Sequence, residues 1–199
     1  MVENELLVPQ EKYLKSGIHI GIKFKTKYME DFIYKTRPEG LSVLNVEKID
    51  ERLKLVINML SNYAPEEIVV VSKRENGWKP LRALKKTTGI NTYPGRYPPG
   101  MITNPSLKIY KEAKAVLVVD SWPDKNAVSD AIRVGVPVIG LCDTNNTSNS
   151  LDLIVPCNNK GKKSLGLVFW IIAREYLKKR GVIEKDEDFK PELSEFVES

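Results

Sequence analysis

A chain of 199 residues with 42% hydrophobic, 29% charged and 8% aromatic residues has the composition of a globular domain with a real core, which excludes a wholly disordered chain and a disulfide-stapled mini-protein. The net charge of +5 is unevenly spread: residues 184–199 hold seven acids and two lysines, while the 29 bases and 19 acids of residues 1–183 give +10, a balance that favours a polyanionic partner such as nucleic acid. One histidine and two cysteines outside any CxxC pair leave little for a hydrolase triad or a metal site, the longest apolar run (167–173) is seven residues against the ~20 of a membrane span, and Glu3 and Glu5 stand where a leader would be basic, so the expectation is a cytoplasmic protein with no metal and no membrane partner.

Three regions follow in chain order: an N-terminal arm and helix (1–40), an α/β core (41–183) and an acidic tail (184–199). Residues 18–27 alternate strictly, with Ile18, Ile20, Ile22 and Phe24 on one face and His19, Gly21, Lys23, Lys25 and Lys27 on the other. That pattern predicts an extended segment whose lysines stand ~6.6 Å apart, near the phosphate spacing of an RNA strand. His19 reads as a polar packing residue ahead of a catalytic base.

Short β-branched runs then alternate about five times with helical periods, the pattern of a parallel α/β sheet with helices on both faces. Residues 41–44 read as the first strand, and Asn45 caps a helix with Val46, Ile49, Leu53, Val56, Ile57 and Leu60 inward. Residues 68–71 form the clearest strand, followed by Lys73 and Arg74 and a helix over 77–87 that Gly89 stops. Residues 92–105 hold four prolines and two glycines and read as a long ordered loop. Within it, Arg96 and Tyr97 either present a guanidinium and a ring to unpaired bases, or pack Tyr97 on the chain's own core. A strand over 116–119, a helix over 125–134 with Ala127, Val128, Ala131 and Ile132 inward, and strands over 136–141 and 153–155 complete the alternation. Ser164 reads as the cap of the strongest helix, which closes at Lys178, Lys179, Arg180 and Gly181. The tail has no apolar period and reads as an arm that orders only against a partner.

Asp120 and Asp143 follow strands, with Asp124 close by in sequence. Together they could hold Mg²⁺ for phosphoryl transfer, or serve as turn and cap residues. Residues 45–50 lack the glycines of a dinucleotide site, and 156–164 only superficially resembles a P-loop, so no cofactor or small-molecule substrate is expected. What survives in the latter stretch is Lys160, Lys162 and Lys163 at a helix start, either an anion site or a solvated basic turn. Cys142 and Cys157 read as buried thiols in a reducing compartment.

Five motifs in order, with a sixth completing them, carry a resemblance: residues 16–21 (Ser-Gly-Ile-His-Ile-Gly), 32–35 (Phe-Ile-Tyr-Lys), 94–104 (Pro-Gly-Arg-Tyr-Pro-Pro-Gly-Met-Ile-Thr-Asn), 138–145 (Val-Ile-Gly-Leu-Cys-Asp-Thr-Asn), 155–161 (Val-Pro-Cys-Asn-Asn-Lys-Gly) and 170–175 (Trp-Ile-Ile-Ala-Arg-Glu). Over residues 9–180 the chain resembles the archaeal and eukaryotic branch of the universal second protein family of the small ribosomal subunit, which includes the eukaryotic laminin-receptor-precursor protein. The resemblance implies a flavodoxin-like sheet, no catalytic activity, and small-subunit ribosomal RNA and neighbouring ribosomal proteins as partners. The short interval between Asn62 and Ile68 has no room for the helical hairpin of bacterial members, which implies the archaeal type. In residues 120–126 the chain departs from the family, with Asn126 where histidine is common. Two functions stand at this point: a structural, rRNA-binding ribosomal protein using Lys23, Lys25, Lys27, Lys73, Arg74, Arg96, Tyr97, Lys160, Lys162 and Lys163, or a Mg²⁺-dependent phosphoryl-transfer enzyme using the strand-end aspartates.

Overall fold

The central apolar runs are too short for helices and too apolar for a sheet with one wet face, so they pair in parallel and are covered on both sides. A computed structural model of the chain describes residues 6–197 and gives this sheet as β3 (Ile68–Ser72), β4 (Asn91–Pro94), β5 (Ala115–Val118), β6 (Val138–Cys142) and β7 (Leu153–Pro156), in the order β4-β3-β5-β6-β7. Counted along the chain this is 2-1-3-4-5, the flavodoxin-like order, with its reversal between β3 and β5. Val69↔Val116, Leu117↔Ile139 and Gly140↔Ile154 fix the register across the middle. Helices α2 (Val46–Leu60) and α5 (Lys162–Lys179) contribute to the larger core beside α3 (Trp78–Thr88), while α4 (Lys125–Val134) covers the other face with Ala127, Val128 and Ala131. Asn45 does cap α2, its Oδ1 accepting from the Glu47 amide at 2.9 Å.

Several expectations change. Ser42–Leu44 (β2) is not in the main sheet; it pairs antiparallel with β1 (Ile33–Thr36), because the intervening turn closes a hairpin, with the Arg37 amide donating to the Leu41 carbonyl at 2.8 Å. The fifth parallel strand is β4, which overlaps the start of the stretch read as loop. It is an edge strand, and its sequence Asn-Thr-Tyr-Pro lacks the apolar run of a doubly covered strand. Residues 18–27 form no regular strand: Ile20 bridges Val43, Lys27 begins a 3-10 turn, and Phe24, placed inward by the alternation, is 67% exposed. Ile132 is exposed on α4. Ser164 does not cap α5, which starts earlier with Gly161 as N-cap; Ser164 is buried and its Oγ has no partner among the described residues.

Neither end of the described chain is a free arm. Helix α1 (Gln10–Ser16) buries Tyr13, whose hydroxyl donates to Asp50 at 2.6 Å, and Arg174 donates to the Leu7 carbonyl at 2.7 Å. The acidic tail folds back across α3 and α5. Phe189 meets Trp170 edge-on at 5.7 Å, the Trp170 indole donates to the Pro191 carbonyl at 3.0 Å, and short α6 (Leu193–Phe196) buries Phe196 completely. Gly166 permits this approach, since a Cβ there would lie 2.9 Å from the Phe196 carbonyl oxygen. Of the tail's acids, Glu198 lies outside the described residues, as do Glu3 and Glu5 at the start of the chain. Phe196→Ala should therefore cost about 3 kcal/mol in chemical unfolding, the loss of a core aromatic. Wild-type stability in that variant would mean that the tail does not dock.

Candidate nucleic-acid interface

Parallel strands put all their carboxyl ends on one edge, where the connecting loops must meet. Lys73 and Arg74 follow β3, Arg96 follows β4, Asp120 follows β5, Asp143 to Asn146 follow β6, and Lys160 follows β7 just before α5. The Gly95 amide donates to the Ser72 carbonyl at 2.8 Å, holding the Arg96 loop against the end of β3. Asn76 Nδ2 donates to the Lys160 carbonyl at 2.6 Å, which joins the loops after β3 and β7 across the reversal point.

The strand-end carboxylates are engaged from within. Asp120, 2% exposed, accepts on Oδ2 from Arg74 Nε at 2.8 Å and from the other arm of the same guanidinium, and on Oδ1 from the Trp122 amide at 3.1 Å and Asn146 Nδ2 at 2.9 Å. Asp143, fully buried, accepts from Lys160 Nζ at 2.9 Å and from the Thr144 amide at 2.7 Å. Asn146 links the two: its Oδ1 accepts from the Asp143 amide at 2.9 Å and from Asn159 Nδ2 at 3.1 Å. A buried carboxylate paired with a cation and with backbone donors is already satisfied. Asp120 and Asp143 are thus turn residues and ion-pair partners, and the metal-binding alternative loses the groups it relied on.

The N-terminal segment is stitched onto this edge. The Ile22 amide donates to Thr144 Oγ1 at 3.2 Å, Thr144 Oγ1 donates to the Phe24 carbonyl at 3.0 Å, the Thr26 amide donates to the Thr144 carbonyl at 2.9 Å, and Thr26 Oγ1 donates to the Asn146 carbonyl at 2.7 Å. Gly21 is needed here, because a Cβ would run into the Thr144 side chain and lie 3.1 Å from the Ser42 carbonyl oxygen. Lys23, Lys25 and Lys27 therefore stand exposed beside the loop after β6, on a segment that belongs to no regular strand.

Of the remaining residues singled out from sequence, Lys73, Arg96, Lys162 and Lys163 are exposed, and Arg74 and Lys160 are half-buried in their ion pairs. Tyr97 is 4% exposed and donates to Asp130 at 3.2 Å, burial and that carboxylate raising its pKa, so its ring packs on the core and has no open face for a base. His19 is a buried packing residue whose pKa is lowered, chiefly by desolvation. Cys142 and Cys157 are free and buried; burial pushes the Cys142 thiol up to about 12 and raises Cys157 as well, so both are inert. Asn146 and Asn159, which tie the loops together, carried no distinguishing signal in the sequence, where a buried asparagine and a turn asparagine look alike.

A family model for ribosomal protein S2 matches residues 107–178. The small ribosomal subunit protein uS2 of Nanoarchaeum equitans is 48% identical over 192 residues, covering 96% of each chain. That of Thermoplasma acidophilum is 42% identical over 195 residues, 98% of each chain, and one from Methanococcus maripaludis is 48% identical over 189 residues, 95% of this chain and 86% of its own. The chain belongs to the uS2 family of small ribosomal subunit proteins. Its relatives place it in the archaeal type, and the family is structural, so the phosphoryl-transfer alternative falls on identity as well as on geometry.

Two consequences of the uS2 edge network can be measured. Arg74→Met leaves the Asp120 carboxylate buried without its cation and should cost roughly 3 kcal/mol in unfolding free energy; a neutral result would show that the pair does not hold the loops. Asp124 is 2% exposed and accepts from the Lys73 amide at 2.9 Å, and burial pushes its pKa up from 3.8 to about 6. Between those values the folded chain holds a proton that the unfolded chain has released, so ionised Asp124 costs stability above pH 6 and the cost fades as pH falls to 4. Asp124→Asn should match wild type near pH 4 and exceed it by about 3 kcal/mol at pH 7. Parallel stability-pH curves for the two proteins would refute this.

Proposed function

We propose that the carboxyl edge of the sheet is the surface by which this small-subunit structural protein meets ribosomal RNA. One observation carries the reading: the edge buries its strand-end acids and turns most of its bases outward, with Glu75 an exposed acid in the loop after β3. Asp120 and Asp143 are buried, whereas Lys23, Lys25, Lys27, Lys73, Arg96, Lys162 and Lys163 are exposed on loops that reach the same edge or are bonded to it. Phosphates are met by such a display through charge and counterion release, and Arg96 adds a planar fork that can contact them in two places. Arg74 and Lys160 present the outer ends of their ion pairs to the same ligand. Neighbouring ribosomal proteins are the second class of partner, and a cytoplasmic, ribosome-associated location follows from both. In keeping with a structural role, this reading assigns no residue to catalysis.

Replacing Lys23, Lys25 and Lys27 together by Ala should reduce the slope of log affinity for small-subunit rRNA against log salt by about 2 to 3 units. An unchanged slope would mean that this segment faces away from RNA.

A further inference from the structure

Trp122 is 71% exposed, although indole is the side chain with most to gain from burial. Its setting is rigid. The Trp122 amide is held by Asp120, Pro123 follows and fixes the next φ, and Asp124 holds the Lys73 amide while its own amide donates to the Asp120 carbonyl at 3.2 Å. The ring therefore stands at the reversal point of the sheet on a loop that the buried network immobilises.

Two hollows meet at this ring. One, of about 550 Å³, is bounded by Arg74, Trp122, Pro123 and Lys125. The other, of about 420 Å³, has an apolar wall of Val128 and Ile132 with Lys125 and Arg133 at its border. Among the described residues no carboxylate lines either hollow. A flat, exposed π-face between cations matches one ligand chemistry above others: an aromatic base joined to phosphate.

We propose that Trp122 is a stacking platform for an unpaired base of RNA, with Arg74 and Lys125 meeting the adjoining phosphates. The proposal rests on the RNA-facing reading of the carboxyl edge and adds to it a site that reads bases by their faces rather than their charge. Stacking tolerates any base, so the platform accepts a single-stranded or flipped-out nucleotide without selecting its sequence. It also accounts for the missing ring of Tyr97: the aromatic contact expected on the loop after β4 is supplied from the loop after β5.

The test uses the full chain, small-subunit rRNA, oligouridylate, and heparin as a polyanion without bases. Trp122→Ala should weaken binding to both RNAs by about tenfold, leave the salt slope unchanged and leave heparin binding and melting temperature as in wild type. Trp122→Phe should recover most of the affinity, and Trp122→Leu, which keeps apolar area without a π-face, should not. Oligouridylate should quench tryptophan emission more in wild type than in Trp122→Phe, where Trp78 and Trp170 remain. Wild-type RNA affinity in Trp122→Ala, or full recovery by Trp122→Leu, would overturn the proposal. So would wild-type RNA affinity combined with lost co-sedimentation on small subunits, which would assign the ring to a protein neighbour. The Lys23, Lys25 and Lys27 triple variant separates the two levels: if it weakens rRNA binding while Trp122→Ala does not, stacking alone fails, and if neither does, the RNA-facing reading of the edge fails with it.

Discussion

The carboxylate of Asp120 is the group on which the working edge of this molecule depends. It lies at the point where the strand order reverses, 2% exposed, and it draws donors from three places: Arg74 after β3, Asn146 after β6, and the backbone of its own loop at Trp122. In sheets of this order that point is ordinarily an open crevice that takes a ligand. Here a buried charge must be paired, and the nearest cation comes from the protein itself, so the floor of the crevice is filled by the Arg74–Asp120 pair. The same device recurs one strand further along with Asp143 and Lys160. A fold that elsewhere holds small molecules becomes a stiff frame for a surface.

The parallel core was legible because its signal is redundant. The runs at 68–71, 116–119 and 136–141 are apolar on both faces, and the helices before and between them carry caps and stops such as Asn45 and Gly89. What escaped were positions where tertiary context decides. β4 is half-covered, so it has no apolar run to announce it. Residues 18–27 alternate like a strand, yet their backbone donors are divided between Ser42 and Thr144 and no single partner strand can be satisfied. The tail's acidity masked Phe189 and Phe196, two anchors seven residues apart, which dock it together with the Trp170 bond to Pro191 and the pairing of Lys178 with Asp186.

At the candidate site, residue type was legible and orientation was not. A lysine or arginine in a loop announces charge, and most of the bases singled out do stand at the carboxyl edge. Burial cannot be read from such a loop. Tyr97 turns inward to Asp130, Trp122 turns outward, and nothing in Arg-Tyr-Pro-Pro or Ser-Trp-Pro-Asp separates the two aromatic residues. That difference arises from the long-range network, which fixes the second loop through Asp120.

The network also divides labour among the bases. In the two buried pairs the acid is hidden and the base is partly open, with side-chain exposures of 35% for Arg74 against 3% for Asp120 and 33% for Lys160 against 1% for Asp143. Each pair therefore shows its positive end to solvent while the negative end sets its direction. A phosphate arriving there meets a cation whose rotamer freedom is already restricted, although the acid behind it reduces the field. Among the described residues Lys23, Lys25 and Lys27 have no such carboxylate behind them and stand exposed. The exposed lysines are suited to supplying the salt-sensitive attraction and the paired bases to setting register, the separation of tasks expected when a backbone is recognised by charge and positioned by geometry.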